Sequence, residues 1–327
     1  MNFLYSFIVI ILLLLISLLG ARAPMLFGII VPYTAITLFI AGIIYRVVRW
    51  ARSPVPFRWP TTAGQQKSLP WFKANNLESP YNIWGVLGRM LLEILFFRSL
   101  FRNTKVEIKK GPQIVYGNNK YLWLGAMAFH WSFLIIILRH FRFFTEPVIG
   151  FVQWLQTFDG LFEIAIPVLY LTNVVIVIAL SYLLVRRLIN SQVRYISLAS
   201  DYFALFLLLA IVLTGIWMRY FDKVDIIRVK ELALGIVSFN PVIPGEIGSI
   251  FYMHLFFVSI LIAYFPFSKL MHMAGVFFSP TRNLANNNRT VRHINPWNPK
   301  VKIHTYQEWE DEFRDKIKEV GLPLEKT

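Results

Sequence analysis

Four of the six histidines in this chain stand where an imidazole needs a reason to be. His130, His140, His254 and His272 lie within or at the ends of long apolar runs, whereas His293 and His304 fall in a polar tail and read as ordinary surface residues. Ionisable side chains at membrane depth are costly, and they point first to function. The spacing is informative: His130 and His140 are 10 residues apart, His254 and His272 are 18 apart. At about 3.6 residues per turn these separations are slightly under three turns and about five turns, so the members of each pair look the same general way. At about 1.5 Å per residue the rings sit roughly 15 Å and 27 Å apart along their helix axes, which gives each helix one imidazole near each membrane half. Two neutral imidazoles facing each other across a helical bundle are suitable axial ligands for a b-type haem. Cysteine is absent. That excludes covalent c-type attachment, disulfides, thiolate zinc sites and an iron–sulfur cluster held by thiolates of this chain.

The elements that must carry these histidines follow from composition. The 327 residues are 56% hydrophobic and 16% charged, with a mean hydropathy of +0.54. That is more apolar surface than one soluble core can use, and it places the chain in a bilayer. Six uncharged or nearly uncharged stretches approach the roughly 20 residues of a helical span: 3–19, 25–45, 121–138, 164–185, 202–218 and 247–268. The third and sixth spans are separated by an odd number of crossings and run antiparallel. His130 is therefore expected to face His272 toward the inside, and His140 to face His254 toward the outside. The expected fold class is an all-α, six-transmembrane-helix bundle with two stacked bis-histidine sites. The first span has a faint signal-peptide look, with Ala21-Arg22-Ala23 after its apolar run, but no basic residue precedes it, so it reads as a retained anchor.

A net charge of +15 invites a nucleic-acid reading, but the charge sits in alternate loops. With a cytoplasmic N-terminus, the inner segments hold thirteen Lys and Arg between Arg46 and Lys120, three at Arg186, Arg187 and Arg194, and ten from Lys269 onward. Thus 26 of the 33 lie inside and 7 outside, as the positive-inside rule predicts, with both termini cytoplasmic in the cell membrane.

Four regions result. Residues 1–45 hold two spans, 46–120 form an inner segment, 121–273 form the haem-binding membrane region, and 274–327 form an inner tail. The inner segment is rich in proline at Pro54, Pro56, Pro60, Pro70 and Pro80. Its stretch 83–101 interleaves apolar runs with Arg89, Glu93 and Arg98, as expected of an amphipathic helix on the membrane surface. Residues 106–116 read as a hairpin around Gly111-Pro112. In the tail, Thr305 and Glu308 form a capping box, Gly321 and Pro323 supply a stop, and Trp309, Phe313, Ile317 and Val320 share one face. That face would cover the protein's own loops or dock a soluble subunit.

The histidine spacings, on these two helices in this order, resemble the cytochrome b subunit of respiratory nitrate reductase, with five spans matching from Met25 onward and the first span extra. In that family each haem is ligated by one histidine from each of the two helices. The inner segment, the text MAFHWSFLIIILRHFRFF at 127–144, the Asn295-Pro296-Trp297-Asn298 run and YQEWEDEFRDKIKEVGLP at 306–323 are similar to the cytochrome b subunit of the sulfite-reductase-associated membrane complex. That group is in turn similar to the membrane subunit of heterodisulfide reductases. The resemblance implies two haems b, with His130 and His272 on the inner iron and His140 and His254 on the outer iron. It also implies menaquinol as electron donor, a cytoplasmic iron–sulfur subunit of heterodisulfide-reductase type as partner within a larger membrane redox complex, and a disulfide or trisulfide acceptor in sulfite or sulfate respiration.

Quinol chemistry needs a proton acceptor and hydrogen-bond donors beside the outer site. Arg139, Arg142 and Glu146 lie nearest to His140, with Glu163, Asp222 and Asp225 in neighbouring loops. For the arginines, propionate pairing or interfacial anchoring is the plainer role. The competing class is a proton-coupled transporter whose spans are interrupted at Pro32, Pro167 and Pro266, although the two halves show no repeat.

Overall fold

The computed structural model describes residues 1–53, 66–102, 104–108, 111, 113–164, 167–245, 247–287 and 303–325. Pro54, Pro56, Pro60, Pro112, His293 and the Asn295-Pro296-Trp297-Asn298 run lie outside them. The elements in chain order are α1 (Asn2–Ser17), α2 (Val31–Ala51), α3 (Ile83–Phe96), α4 (Arg98–Arg102), β1 (Thr104–Ile108), β2 (Ile114–Asn118), α5 (Lys120–His140) and α6 (Gly150–Asp159). They continue with α7 (Leu171–Ile189), α8 (Ser191–Ile196), α9 (Ala199–Tyr220), α10 (Ile226–Val237), α11 (Ser249–Tyr264), α12 (His272–Phe278), α13 (Pro280–Asn283) and α14 (Tyr306–Glu319).

Among the described residues, six helices are long and apolar enough to cross a membrane: Asn2–Arg22, Leu26–Ala51, Lys120–Phe143, Leu171–Ile189, Ala199–Tyr220 and Ser249–Phe267. Between 17% and 33% of each apolar window is buried, so most of their apolar surface points outward, toward lipid rather than into a core. The chain is an all-α, multi-pass membrane bundle. α5 packs on α7, α7 on α9, α9 on α11 and α11 on α2, while α1 lies along α9. α5, which carries His130 and His140, and α11, which carries His254, are not among the closely packed pairs.

Two differences from the sequence reading affect the site. The fourth span starts at Leu171 rather than at residue 164, because Pro167 to Tyr170 are not helical. The sixth does not run unbroken to its second histidine. α11 ends at Tyr264, a 3-10 turn covers Phe265–Phe267 at Pro266, and a second covers Lys269–Met271 before α12 begins at His272. Proline lacks the N–H that would continue the ladder and clashes with the preceding turn. Arg46 of α2 donates from Nε to the Pro266 carbonyl at 2.8 Å, and a Cβ on Gly42 would come within 2.7 Å of the Pro266 ring, so α2 is fitted to the break.

The hairpin forms as expected, with β1 antiparallel to β2 and Val106 opposite Tyr116. The tail helix α14 carries its capping box at Thr305 and Glu308 and is followed by Gly321 at φ 71°. The helix expected over 83–101 stops at Phe96, because Phe97 adopts a left-handed conformation. Its charges do not face out: Arg89 is buried, and Arg98 and Arg102 both pair with Glu78. The loops that follow α5 and α9 hold helices, α6 and α10, that the sequence reading passed over. α10 lays Val229 and Leu232 on Phe27, Phe251, Tyr252 and Phe256.

Candidate haem-binding sites

The fold brings the four membrane histidines together in the two expected pairs. At one end of the bundle the His130 and His272 rings lie 6.0 Å apart, centroid to centroid, at 79°. At the other end His140 and His254 lie 6.5 Å apart and nearly parallel, at 15°. Two imidazole nitrogens each roughly 2 Å from one metal put their ring centroids about 6 Å apart, so both separations suit a shared iron.

A ligating imidazole must offer one nitrogen lone pair and is usually oriented through the other nitrogen. In three of the four, Nδ1–H donates to a backbone carbonyl within the same turn: His130 to Ala126 (2.8 Å), His140 to Ile136 (2.7 Å) and His272 to Lys269 (2.8 Å). The fourth turns to another helix, α9, where the Ile211 carbonyl and a side chain both lie beside it. His254 Nδ1 lies 2.9 Å from Thr214 Oγ1 of α9, whose hydroxyl donates to the Ala210 carbonyl at 2.7 Å and so accepts from the ring. Gly215 beside it leaves room, since a Cβ there would stand 3.2 Å from His254 Cε1. In a neutral ring this bonding selects the tautomer that leaves the Nε2 lone pair open. Neutral nitrogen donors in facing pairs, on helices that do not close on each other, fit two b-type haems.

The surroundings differ between the two ends. Phe97 and Phe129 meet His130 edge-on at 4.9 Å and 4.8 Å. Phe143 lies 5.8 Å from His140. Next to His140 a buried polar cluster joins α5, α6, α7 and α9. Arg139 pairs with Asp159 at 2.9 Å, and Asp159 accepts from the Thr172 hydroxyl at 2.6 Å and its N–H at 2.8 Å. Arg139 and Arg219 each lie 3.9 Å from the Tyr170 ring, and Arg219 donates to the Val168 carbonyl at 3.1 Å.

Of the quinol-site candidates, Arg139 is thus engaged in a buried ion pair, while Arg142 lies over Phe143 at 5.6 Å. Glu146 is exposed and pairs with Lys230. Asp225 accepts from the N–H groups of Ile227 and Arg228 and caps α10. Glu163 takes a left-handed conformation at φ 50°. His304 is exposed near Glu312. Asp159, Tyr170, Thr172, Arg219 and Tyr220 were missed by the sequence reading. Their signal is polar residues crowding the ends of three spans, but nothing in the linear order says that these ends meet.

Comparison with known proteins adds a second line. The family model for the nitrate reductase gamma subunit matches residues 82–293, a stretch containing all four membrane histidines. A relative from Archaeoglobus fulgidus, described as an Hdr-like menaquinol oxidoreductase cytochrome b-like subunit, is 48% identical over 281 residues, 84% of each chain. A relative of the same description from Archaeoglobus profundus is 44% identical over 279 residues, 83% of this chain and 82% of its own.

Proposed function

The chain belongs to the nitrate reductase gamma subunit family, and on that premise we propose that it is a menaquinol-linked membrane cytochrome b that carries two haems b, one on each histidine pair. The observation that carries this reading is the geometry of the pairs: facing rings at 6.0 Å and 6.5 Å, each with Nδ1 hydrogen-bonded and Nε2 open. His130 and His272 would hold one haem, His140 and His254 the other. When bound, each haem supplies a one-electron redox centre without needing cysteine.

The chain's own residues supply orientation and insulation. Backbone carbonyls of Ala126, Ile136 and Lys269 and the Thr214 hydroxyl hold the rings in one tautomer. Phe97 and Phe129 set apolar rings against His130, and Phe143 does so beside His140. Ten residues of α5 separate the two ends by roughly 15 Å, about half of a hydrocarbon core of roughly 30 Å.

The chain takes electrons from menaquinol at the His140 end, outside, and hands them on at the His130 end, inside. The inner side carries most of the positive charge, the long 46–120 segment and the tail with α14. Those parts form a platform for a cytoplasmic iron–sulfur subunit of heterodisulfide-reductase type within a redox complex serving sulfur respiration. Arg142, half-exposed beside His140, is open to a quinol, and Glu146 is exposed at the surface in its pair with Lys230, whereas Arg139 is buried against Asp159. The description of both relatives as menaquinol oxidoreductase subunits supports the donor.

The test is spectroscopic: optical and EPR spectra of the purified chain, with haem counted per polypeptide, for wild type and for alanine at each histidine. Two low-spin haems are expected, with one lost in each variant and the same one lost for both members of a pair. A colourless wild-type protein, or loss of different haems from His140→Ala and His254→Ala, would refute the assignment.

A further inference from the structure

Helix α3 is turned inside out for a helix in water. Its two ionisable residues face the protein. Arg89 is 3% exposed and donates to the carbonyls of Glu78 (3.3 Å), Leu284 (3.0 Å) and Arg282. Glu93 accepts from the Ser99 N–H at 2.9 Å. The outward face is Ile83, Trp84, Leu87, Leu91 and Ile94, between 38% and 77% exposed, without a single charge among them. A helix lying on a soluble protein shows the reverse, with its apolar stripe inward and its charges out.

The position of the helix shows what its outer face meets. The last carbonyls of a helix have no partner within it. Here the Leu95 and Phe96 carbonyls accept from the indole N–H groups of Trp131 (3.1 Å) and Trp123 (2.7 Å). Both tryptophans belong to the membrane span α5, as its twelfth and fourth residues. At about 1.5 Å per residue, the end of α3 lies roughly 5 to 16 Å along that span from its start. Phe97 then turns the chain back and sets its ring on His130. Fourteen residues make a helix of about 21 Å, too short to cross the bilayer. Irregular backbone is tolerated at such depth only where protein covers it, as the two indoles and Phe97 do here.

We propose that α3 is a re-entrant helix embedded in the leaflet at the His130 end, and that Ile83, Trp84, Leu87, Leu91 and Ile94 contact lipid acyl chains. Its Arg89 anchors the 75–80 loop and the 282–284 segment from beneath. Lipid on one side and Phe97 on the other keep water from His130.

The chain has no cysteine, so each introduced cysteine is unique. Spin labels at Trp84→Cys, Leu87→Cys, Leu91→Cys and Ile94→Cys of the full chain in proteoliposomes report collisions with oxygen, which partitions into the bilayer, and with a water-soluble nickel chelate. Leu134→Cys on the lipid-facing side of α5 and Lys318→Cys on α14 provide the membrane and water references. The expected result is an oxygen-to-chelate ratio at 87, 91 and 94 matching that at 134. A ratio matching that at 318 overturns the proposal. So does loss of both collisions at 87, 91 and 94 in membranes holding the whole complex, which would mean that a partner subunit covers the face. Four positions are probed, so failure of one variant to assemble leaves the test intact.

Discussion

Thr214→Val is the perturbation that best separates the two haem sites. Valine keeps the shape of threonine and deletes only the oxygen that receives the His254 Nδ1–H at 2.9 Å. The other three histidines donate to main-chain carbonyls, which no side-chain substitution removes. The substitution leaves the His254 donor with only the Ile211 carbonyl beside it, and a buried donor deprived of a good partner costs up to about 1–3 kcal/mol, or about 5- to 150-fold in an equilibrium constant. Loss of an outer-shell partner of a metal-bound histidine costs about 10- to 100-fold in metal affinity. Both scales place haem affinity at the His140–His254 site at least several-fold below wild type, with the His130–His272 site unchanged. The assay is haem titration of the apo-chain, with EPR resolving the two low-spin signals. Thr214→Ser, which keeps the hydroxyl, should behave nearly as wild type. Unchanged affinity and spectrum in Thr214→Val would refute the reasoning, as would a serine variant as defective as the valine one, since that would make the methyl group rather than the hydroxyl the cause.

Arg139→Leu leaves Asp159 buried without its cation, and breaking a buried ion pair costs about 3–5 kcal/mol. Thermal or detergent unfolding should show that loss, and adding Asp159→Asn should recover part of it; no recovery would place the cost in lost packing. Quinol direction is checked by titrating a menaquinol analogue against His254→Ala and His272→Ala. The first should abolish reduction by quinol, and the second should leave reduction intact but stop delivery to the partner; the opposite pattern reverses the proposed direction. A topology reporter fused after Thr327 is expected to be active only in the cytoplasm, and activity outside would overturn the orientation.

Much of this protein was legible in its linear order. Each apolar run declares its own span because the bilayer acts on residues one at a time, and no long-range contact is needed to read it. The hairpin at β1 and β2 and the capping box of α14 are likewise set by neighbouring residues. Histidine spacing and antiparallel order were enough to name the pairs that the fold brings together. Helical phase does not carry through from His254 to His272, since Pro266 interrupts the turns between them.

What the sequence alone determined was therefore local: membrane residence, span count, the four imidazoles and their pairing order. Only the tertiary structure decided which group orients each ring, that Thr214 of α9 serves His254, and that Arg139 meets Asp159 and Tyr170. It also reversed α3, whose charges bind carbonyls of the 78 and 282–284 segments and whose apolar face is left outside. The physical reason is that hydropathy and helical period are properties of a segment, whereas a hydrogen bond between helices depends on rotation and depth fixed by every other helix in the bundle.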